Sequence, residues 1–191
     1  MKNLELQFKE YLKYKFLNSL FLGLSVGSIF ILYTPLMPSI YSVGGVLLAL
    51  GMLVVAKFYY KILNIHYFYK VSLFIELILL SVLVYFLLFS YSYTTALIIY
   101  IGYQITFVFG SYLVRAETLF LKKTKFLEYV DVAKQKGYLL GMVFSYFFYT
   151  FLEKFFEIHD KQVQVYNIHF LLVCVEVMII YYLIHSFRTR L

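Results

Sequence analysis

Long apolar stretches, separated by short polar or proline-marked segments, dominate the hydropathy pattern of this chain. Six of them occur, near residues 16–35, 40–61, 69–91, 94–115, 137–156 and 165–187. A helix needs about 20 apolar residues to cross a hydrocarbon core roughly 30 Å thick, and each stretch is about that long. Because segment 77–88 is apolar at both odd and even positions, a membrane β-barrel is disfavoured. The pattern predicts an all-α polytopic membrane protein whose residues 1–191 form a single domain of six transmembrane helices.

Composition excludes a soluble globular protein. Apolar residues make up 63% of the 191 positions and charged residues only 14%, whereas about a quarter of a soluble domain is charged. So few charged side chains cannot cover the chain with a water-facing surface, and we expect the lipid bilayer to be its main partner. The single cysteine, Cys174, lies in the last apolar stretch, which excludes an internal disulfide and a cysteine-based metal cage.

The distribution of basic residues predicts how the chain is oriented. Of the 17 Lys and Arg residues, only Lys154 and Lys161 fall on one side of the predicted six-span topology. The remaining basic residues lie on the other side, and the positive-inside rule places that side, with both termini, in the cytoplasm. We therefore expect a multi-pass protein of the cell inner (plasma) membrane. Since the charges lie in separate juxtamembrane segments, no nucleic-acid partner is expected.

Small residues form stripes on two of the predicted helices. Gly23 and Gly27 are four residues apart in the first span, and Gly137 and Gly141 are four apart in the fifth. Glycines at this spacing allow the backbone of a second helix to approach closely. The stripes predict helix packing, either inside the bundle or at a moving or dimer-forming interface.

Glu176 is the most informative polar residue, because it lies near the middle of the sixth span. An unpaired carboxylate at that depth costs several kcal/mol, so its side chain should face the protein interior or a water-filled cavity, or be protonated. His169, seven residues earlier on the same helical face, and Gln104 of the fourth span join it as candidates for a substrate or proton pathway. The alternative is a protonated Glu176 that is hydrogen-bonded within a packed bundle.

A second candidate pair joins the third and fourth spans. These spans are predicted antiparallel neighbours, so Arg115, near the cytoplasmic interface, is within reach of Glu76. The pair is interpreted either as a structural clasp or as a gating pair at a cytoplasmic gate.

No pattern in the chain indicates catalysis, a metal or a cofactor. The four histidines are widely separated, and none forms a paired-ligand motif such as HExxH. Walker, nucleophile-elbow and dense Asp-rich motifs are also missing from the sequence. We therefore expect no enzyme activity, no metal site and no cofactor.

Three segments resemble the N-terminal six-helix half of major facilitator superfamily transporters. They are Gly51 before the short basic loop at 57–61, the sequence Arg115-Ala-Glu117 at the end of the fourth span, and the stretch 133–141 leading into the fifth. The resemblance implies a half-transporter-like bundle built from paired three-helix repeats, with a substrate site near the midplane between two six-helix halves. Since this chain covers one half, a second copy or another membrane subunit would have to supply the other wall.

Two functions follow from these expectations. The first is a small-solute transporter that works as a dimer and is coupled to protons through Glu176 and Glu76. The alternative is a non-transporting membrane subunit that scaffolds or assembles a larger membrane complex. Convergence of Glu176, Gln104 and His169 on one cavity would favour transport, whereas a scattered polar set would favour the subunit.

Overall fold

A computed structural model describes residues 4–189 of the chain, and most of these residues are helical. The helices in chain order are α1 Phe8–Leu32, α2 Pro38–Lys57, the short α3 Tyr59–Ile62, α4 Ile65–Leu88, α5 Tyr93–Val108, α6 Gly110–Leu121, α7 Thr124–Phe155 and α8 Lys161–Ser186. Two three-residue strands, β1 Leu4–Leu6 and β2 Phe187–Thr189, flank them. The predicted all-α class is thus confirmed, with one minimal strand pair at the chain ends.

Helix starts follow from local sequence signals. Pro38 stands at the start of α2, where a missing N–H costs nothing. The side chains of Asn64, Ser92 and Asp160 each accept a hydrogen bond from a backbone N–H in the first turn of α4, α5 and α8, respectively. Each cap lies just before an apolar stretch, so the polar turns fix where the long helices begin.

Five helical segments within residues 4–189 are long and apolar enough to cross a membrane: α1, α2, α4, α8 and the nearly continuous α5–α6 segment. Helix α7, which contains the predicted span 137–156, does not meet that criterion. Its 32 residues begin with a charged segment and continue with several tyrosines and glycines, which lower its mean hydropathy. Six apolar spans are therefore not confirmed, although the fifth predicted span is helical.

The helices pack in a pattern that relates the first half of the chain to the second. The most extensive contacts are α1 with α7, α1 with α8, α4 with α8, α4 with α5 and α2 with α5. If α1, α2 and α4 are exchanged for α5, α7 and α8, in that order, the pair α1–α7 becomes α5–α2 and the pair α1–α8 becomes α5–α4. The pair α4–α8 is converted into itself. Two three-helix units, 8–88 and 93–186, therefore pair their helices in the same order, although the α1–α7 contact is much more extensive than its counterpart, α2–α5.

Glycines bring α1 and α7 into backbone contact. A Cβ on Gly23 would collide with the backbone oxygen of Tyr138, and a Cβ on Gly141 would collide with that of Leu20. Gly137 meets the backbone of Phe16 in the same way, whereas Gly27 lies against the Tyr149 ring. Residue numbers rise together along both helices, so α1 and α7 run parallel. Both predicted stripes are thus used for packing inside the bundle.

The two ends of the described chain meet at one end of the bundle. Strand β1 pairs antiparallel with β2, with Leu4 opposite Thr189 and Leu6 opposite Phe187. Helix α1 therefore begins at the end of the bundle where α8 terminates. The largest apolar core cluster lies next to this strand pair and contains Tyr11, Phe68, Leu183 and Phe187.

Candidate functional site: a buried layer of carboxyl groups

Glu117 on α6 lies at the centre of a buried ion-pair cluster. Lys15 of α1 lies 2.8 Å from its Oε2, and Lys134 of α7 bonds its Oε1. The hydroxyl of the fully buried Tyr11 donates to Glu117 Oε2 at 2.5 Å. Two cations and a hydroxyl thus hold one carboxylate, which explains how it can be buried. The cluster ties three helices together near the end of the bundle where the chain ends meet.

Lys15 is further held by aromatic rings. Its Nζ lies 5.4 Å from the ring centre of Tyr11 and 5.2 Å from that of Tyr14. Such contacts with aromatic faces stabilise a partly desolvated cation. Tyr14 thereby connects the Glu117 cluster to a second buried carboxyl group, that of Glu76.

Glu76 on α4 is held by α1 alone and only partly satisfied. Tyr14 donates its hydroxyl to Glu76 Oε1 at 2.7 Å, and the amide of Asn18 donates to the same oxygen at 3.2 Å. The residue is 1% exposed, and its Oε2 has no hydrogen-bond partner among the described residues. An unmet buried oxygen of this kind is unusual in a folded protein.

Glu176 on α8 is the least satisfied of the three carboxyl groups. It is fully buried, and neither of its oxygens has a hydrogen-bond partner within residues 4–189. Helix α8 packs against α4, and the carboxyl groups of Glu176 and Glu76 interact across this contact, by a hydrogen bond when one of the two carries a proton. The expectation that Glu176 faces the protein interior therefore agrees with its position between packed helices.

The other two members of the predicted pathway lie elsewhere. His169 is buried on α8, where its Nδ1 lies 2.6 Å from the Val165 carbonyl oxygen and its ring packs 4.1 Å from that of Phe86. Gln104 lines a cavity of about 380 Å³ between α2 and α5, and its buried Oε1 has no partner in the described part of the chain. Glu176, His169 and Gln104 thus occupy separate environments.

The predicted pair of Glu76 and Arg115 is not formed in this structure. The Arg115 guanidinium lies over the ring of Tyr59 at 5.9 Å, whereas Glu76 is bonded to α1. Glu117, two residues after Arg115, is the charged α6 residue that is buried, because it projects from another side of the helix. A different ion-pair cluster, which was not predicted, joins Glu117 of α6 to Lys15 of α1 and Lys134 of α7.

Sequence reasoning missed the residues of the Glu117 cluster, although a signal was present. Polar or amphipathic residues recur on one face of α1 at Tyr11, Tyr14, Lys15 and Asn18, with the three- and four-residue spacing of a single helical face. In an apolar helix, such a polar stripe indicates a buried polar partner on a neighbouring helix.

Residues 4–189 contain no group of three or more His, Cys, Asp or Glu side chains arranged to hold a metal ion. No protein-family model, curated protein or solved structure matches the chain.

Proposed function

We propose that this chain forms one wall of a small-solute transporter in the inner membrane, with a second six-helix unit supplying the other wall. The observation that carries the proposal is the exchange pattern of the helix contacts, in which units 8–88 and 93–186 pair their helices in the same order. Paired three-helix units of opposite orientation are a recurrent design of secondary transporters. The resemblance of three segments to a major facilitator half agrees with this pattern.

The paired chain ends support six crossings. Since β1 pairs with β2 at one end of the bundle, the chain crosses an even number of times. Five helical segments are apolar enough to span, and α7 is the remaining long helix. It runs parallel to α1 from the Phe8–Phe126 ring contact to the Gly27–Tyr149 contact. We therefore assign α7 as the sixth crossing, shielded on one side by α1.

The charge distribution supports cytoplasmic chain ends. Lys15 and Lys134 lie near the end of the bundle where β1 and β2 meet. Lys154 and Lys161 lie near the opposite end, close to the turn between α7 and α8. By the positive-inside rule, the strand pair faces the cytoplasm.

A partner subunit or second copy has an accessible face to pack against. Only 6% of the apolar segment of α2 is buried within this chain, and Val43, Leu47 and Leu50 are more than half exposed. The cavity that contains Gln104 opens between α2 and α5. In the proposed transporter, this face lies towards the second unit, and Gln104 supplies a hydrogen-bonding group for a small solute.

Mass measurement and flux measurement together test the proposal. The protein, purified with its native lipids, should have twice the 22.7 kDa chain mass, or that of one chain plus a second membrane subunit. The intact assembly in liposomes should transport solute, and the variant Q104A should reduce that flux while Q162A, altered at the outer end of α8, should not. A strictly monomeric protein that transports alone would refute the half-transporter proposal.

A second candidate function is a non-transporting subunit of a larger membrane complex. The separate positions of Glu176, His169 and Gln104 favour it, because a shared translocation path would bring its polar groups together. In that case the chain co-purifies with a different membrane protein, and the complex retains its activity when Gln104 is replaced by alanine.

A further inference from the structure

The two unsatisfied carboxyl groups meet where α4 and α8 cross. Glu76 is 1% exposed and Glu176 is fully buried. Of their four oxygens, three have no hydrogen-bond partner among residues 4–189, namely Glu76 Oε2 and both oxygens of Glu176. Unpaired polar atoms at this depth each cost free energy, so the site needs a further hydrogen-bonding group.

The simplest group that satisfies this site is a proton. Two adjacent carboxylates in a low-dielectric interior repel each other strongly. A proton on Glu176 lets its hydroxyl donate to Glu76 Oε2, which removes one negative charge and supplies two missing partners in one bond. The remaining negative charge stays on Glu76, where Tyr14 and Asn18 already donate. We propose that Glu76 and Glu176 together bind one exchangeable proton.

The side chains that surround the Glu76–Glu176 pair favour a single negative charge on it. Helix α1 contributes Tyr14, Asn18 and, farther away, Lys15, whose ammonium group is engaged by Glu117. Helix α5 contributes Tyr103, which is close enough to Glu176 to interact with it electrostatically. Since the nearest cation is already paired, the site favours one negative charge over two.

Because Glu76 and Glu176 lie at the contact between α4 and α8, binding of the proton affects how these two helices pack. Helices α4 and α8 are the third helices of the two three-helix units, and they are exchanged with each other by the repeat pattern. Loss of the proton to water leaves two like charges at this crossing, which weakens the contact between the units. Use of this change to drive solute transport depends on the function proposed above, whereas proton binding itself does not.

Infrared spectroscopy of the purified protein tests the site without any transport assay. Wild-type protein at neutral pH should show the C=O stretch of a protonated carboxyl group, and the band should shift in D₂O because the proton exchanges. The double variant E76Q/E176Q should lose the band. The control variant E153Q, altered at an exposed carboxylate near the opposite end of the bundle, should retain it.

Absence of the band in wild type, or its persistence in the double variant, would overturn the proposal. Circular dichroism and elution volume show whether each variant folds. If the double variant does not fold, the single variant E176Q decides, since its amide can donate to the Glu76 carboxylate, which keeps Tyr14 and Asn18, and it should lose the band. A positive band with no solute flux would retain the proton site and reject its use in transport.

Discussion

The molecule contains two neighbouring buried acidic sites that contact the same face of α1, and their negative charges are compensated in opposite ways. Glu117 has two lysines and a tyrosine hydroxyl as partners. The pair of Glu76 and Glu176 has one tyrosine, one amide and three unpaired oxygens. Both sites are almost completely shielded from solvent, so burial does not distinguish them. The difference lies in how the negative charge is compensated.

This difference separates a structural role from a candidate functional one. A carboxylate with a full set of charged partners stabilises the arrangement of α1, α6 and α7, because removing it leaves Lys15 without its counter-ion and Lys134 with only the exposed Asp131, 3.4 Å away. A carboxyl pair with unmet oxygens contributes little to stability as it stands. Buried polar groups that lack hydrogen-bond partners are expected mainly at functional sites.

Replacing Glu117 should cause the largest loss of stability. In Glu117→Met, Lys15 and Lys134 lose their shared counter-ion, and we expect the free energy of unfolding to fall by about 3–5 kcal/mol. Unfolding in mixed micelles with increasing denaturing detergent measures this change. The exposed pair of Glu10 and Lys13, 3.1 Å apart with Lys13 54% exposed, provides the control, since Glu10→Gln should cost less than about 0.5 kcal/mol. Equal effects in the two variants would contradict the structural role of Glu117.

Removal of single tyrosine hydroxyls at the two acidic sites should have a smaller effect on the free energy of unfolding. Tyr14→Phe removes the shorter of two hydrogen bonds to Glu76 and should cost about 1.5–3 kcal/mol. Tyr11→Phe removes one donor from Glu117, which keeps both lysines, so its cost should be clearly smaller. Each substitution preserves the buried ring, and the same unfolding assay compares them. A greater loss in Tyr11→Phe would show that the hydroxyl, not the lysines, holds Glu117.

Much of the fold could be predicted from the sequence because membrane helices follow from hydropathy alone. The apolar stretches and the turns at 33–37 and 89–92 mark the long helices directly. Helix α7 is the exception: Gly137, Gly141 and Tyr149 pack against α1, and residues of these types lower the mean hydropathy of the helix. The spacing of Gly23, Gly137 and Gly141 predicted close packing, but which helices would pair depends on tertiary structure.

The polar site was only partly predictable for a physical reason. The central position of Glu176 indicated burial, because lipid exposure of a carboxyl group is too costly. The partner of each acidic residue depends on helix rotation, and one residue step turns a side chain by about 100°. Arg115 and Glu117 are two steps apart, so one faces outward to Tyr59 while the other enters the interior. The predicted position of both residues near the membrane interface could not show which of the two side chains points into the protein interior.

Replacing Glu176 by methionine should have the smallest effect on stability, although the chemical change is the same as at Glu117. Glu176→Met removes two unpaired buried oxygens and one shared proton, and leaves Glu76 with Tyr14 and Asn18. Since an apolar side chain of similar length costs nothing to bury, we expect the free energy of unfolding to change by less than about 1 kcal/mol. The mixed-micelle assay applied to both methionine variants gives the comparison directly. A loss at Glu176 as large as that at Glu117 would mean that the carboxyl pair is a stabilising clasp, and the contrast between the two acidic sites would disappear.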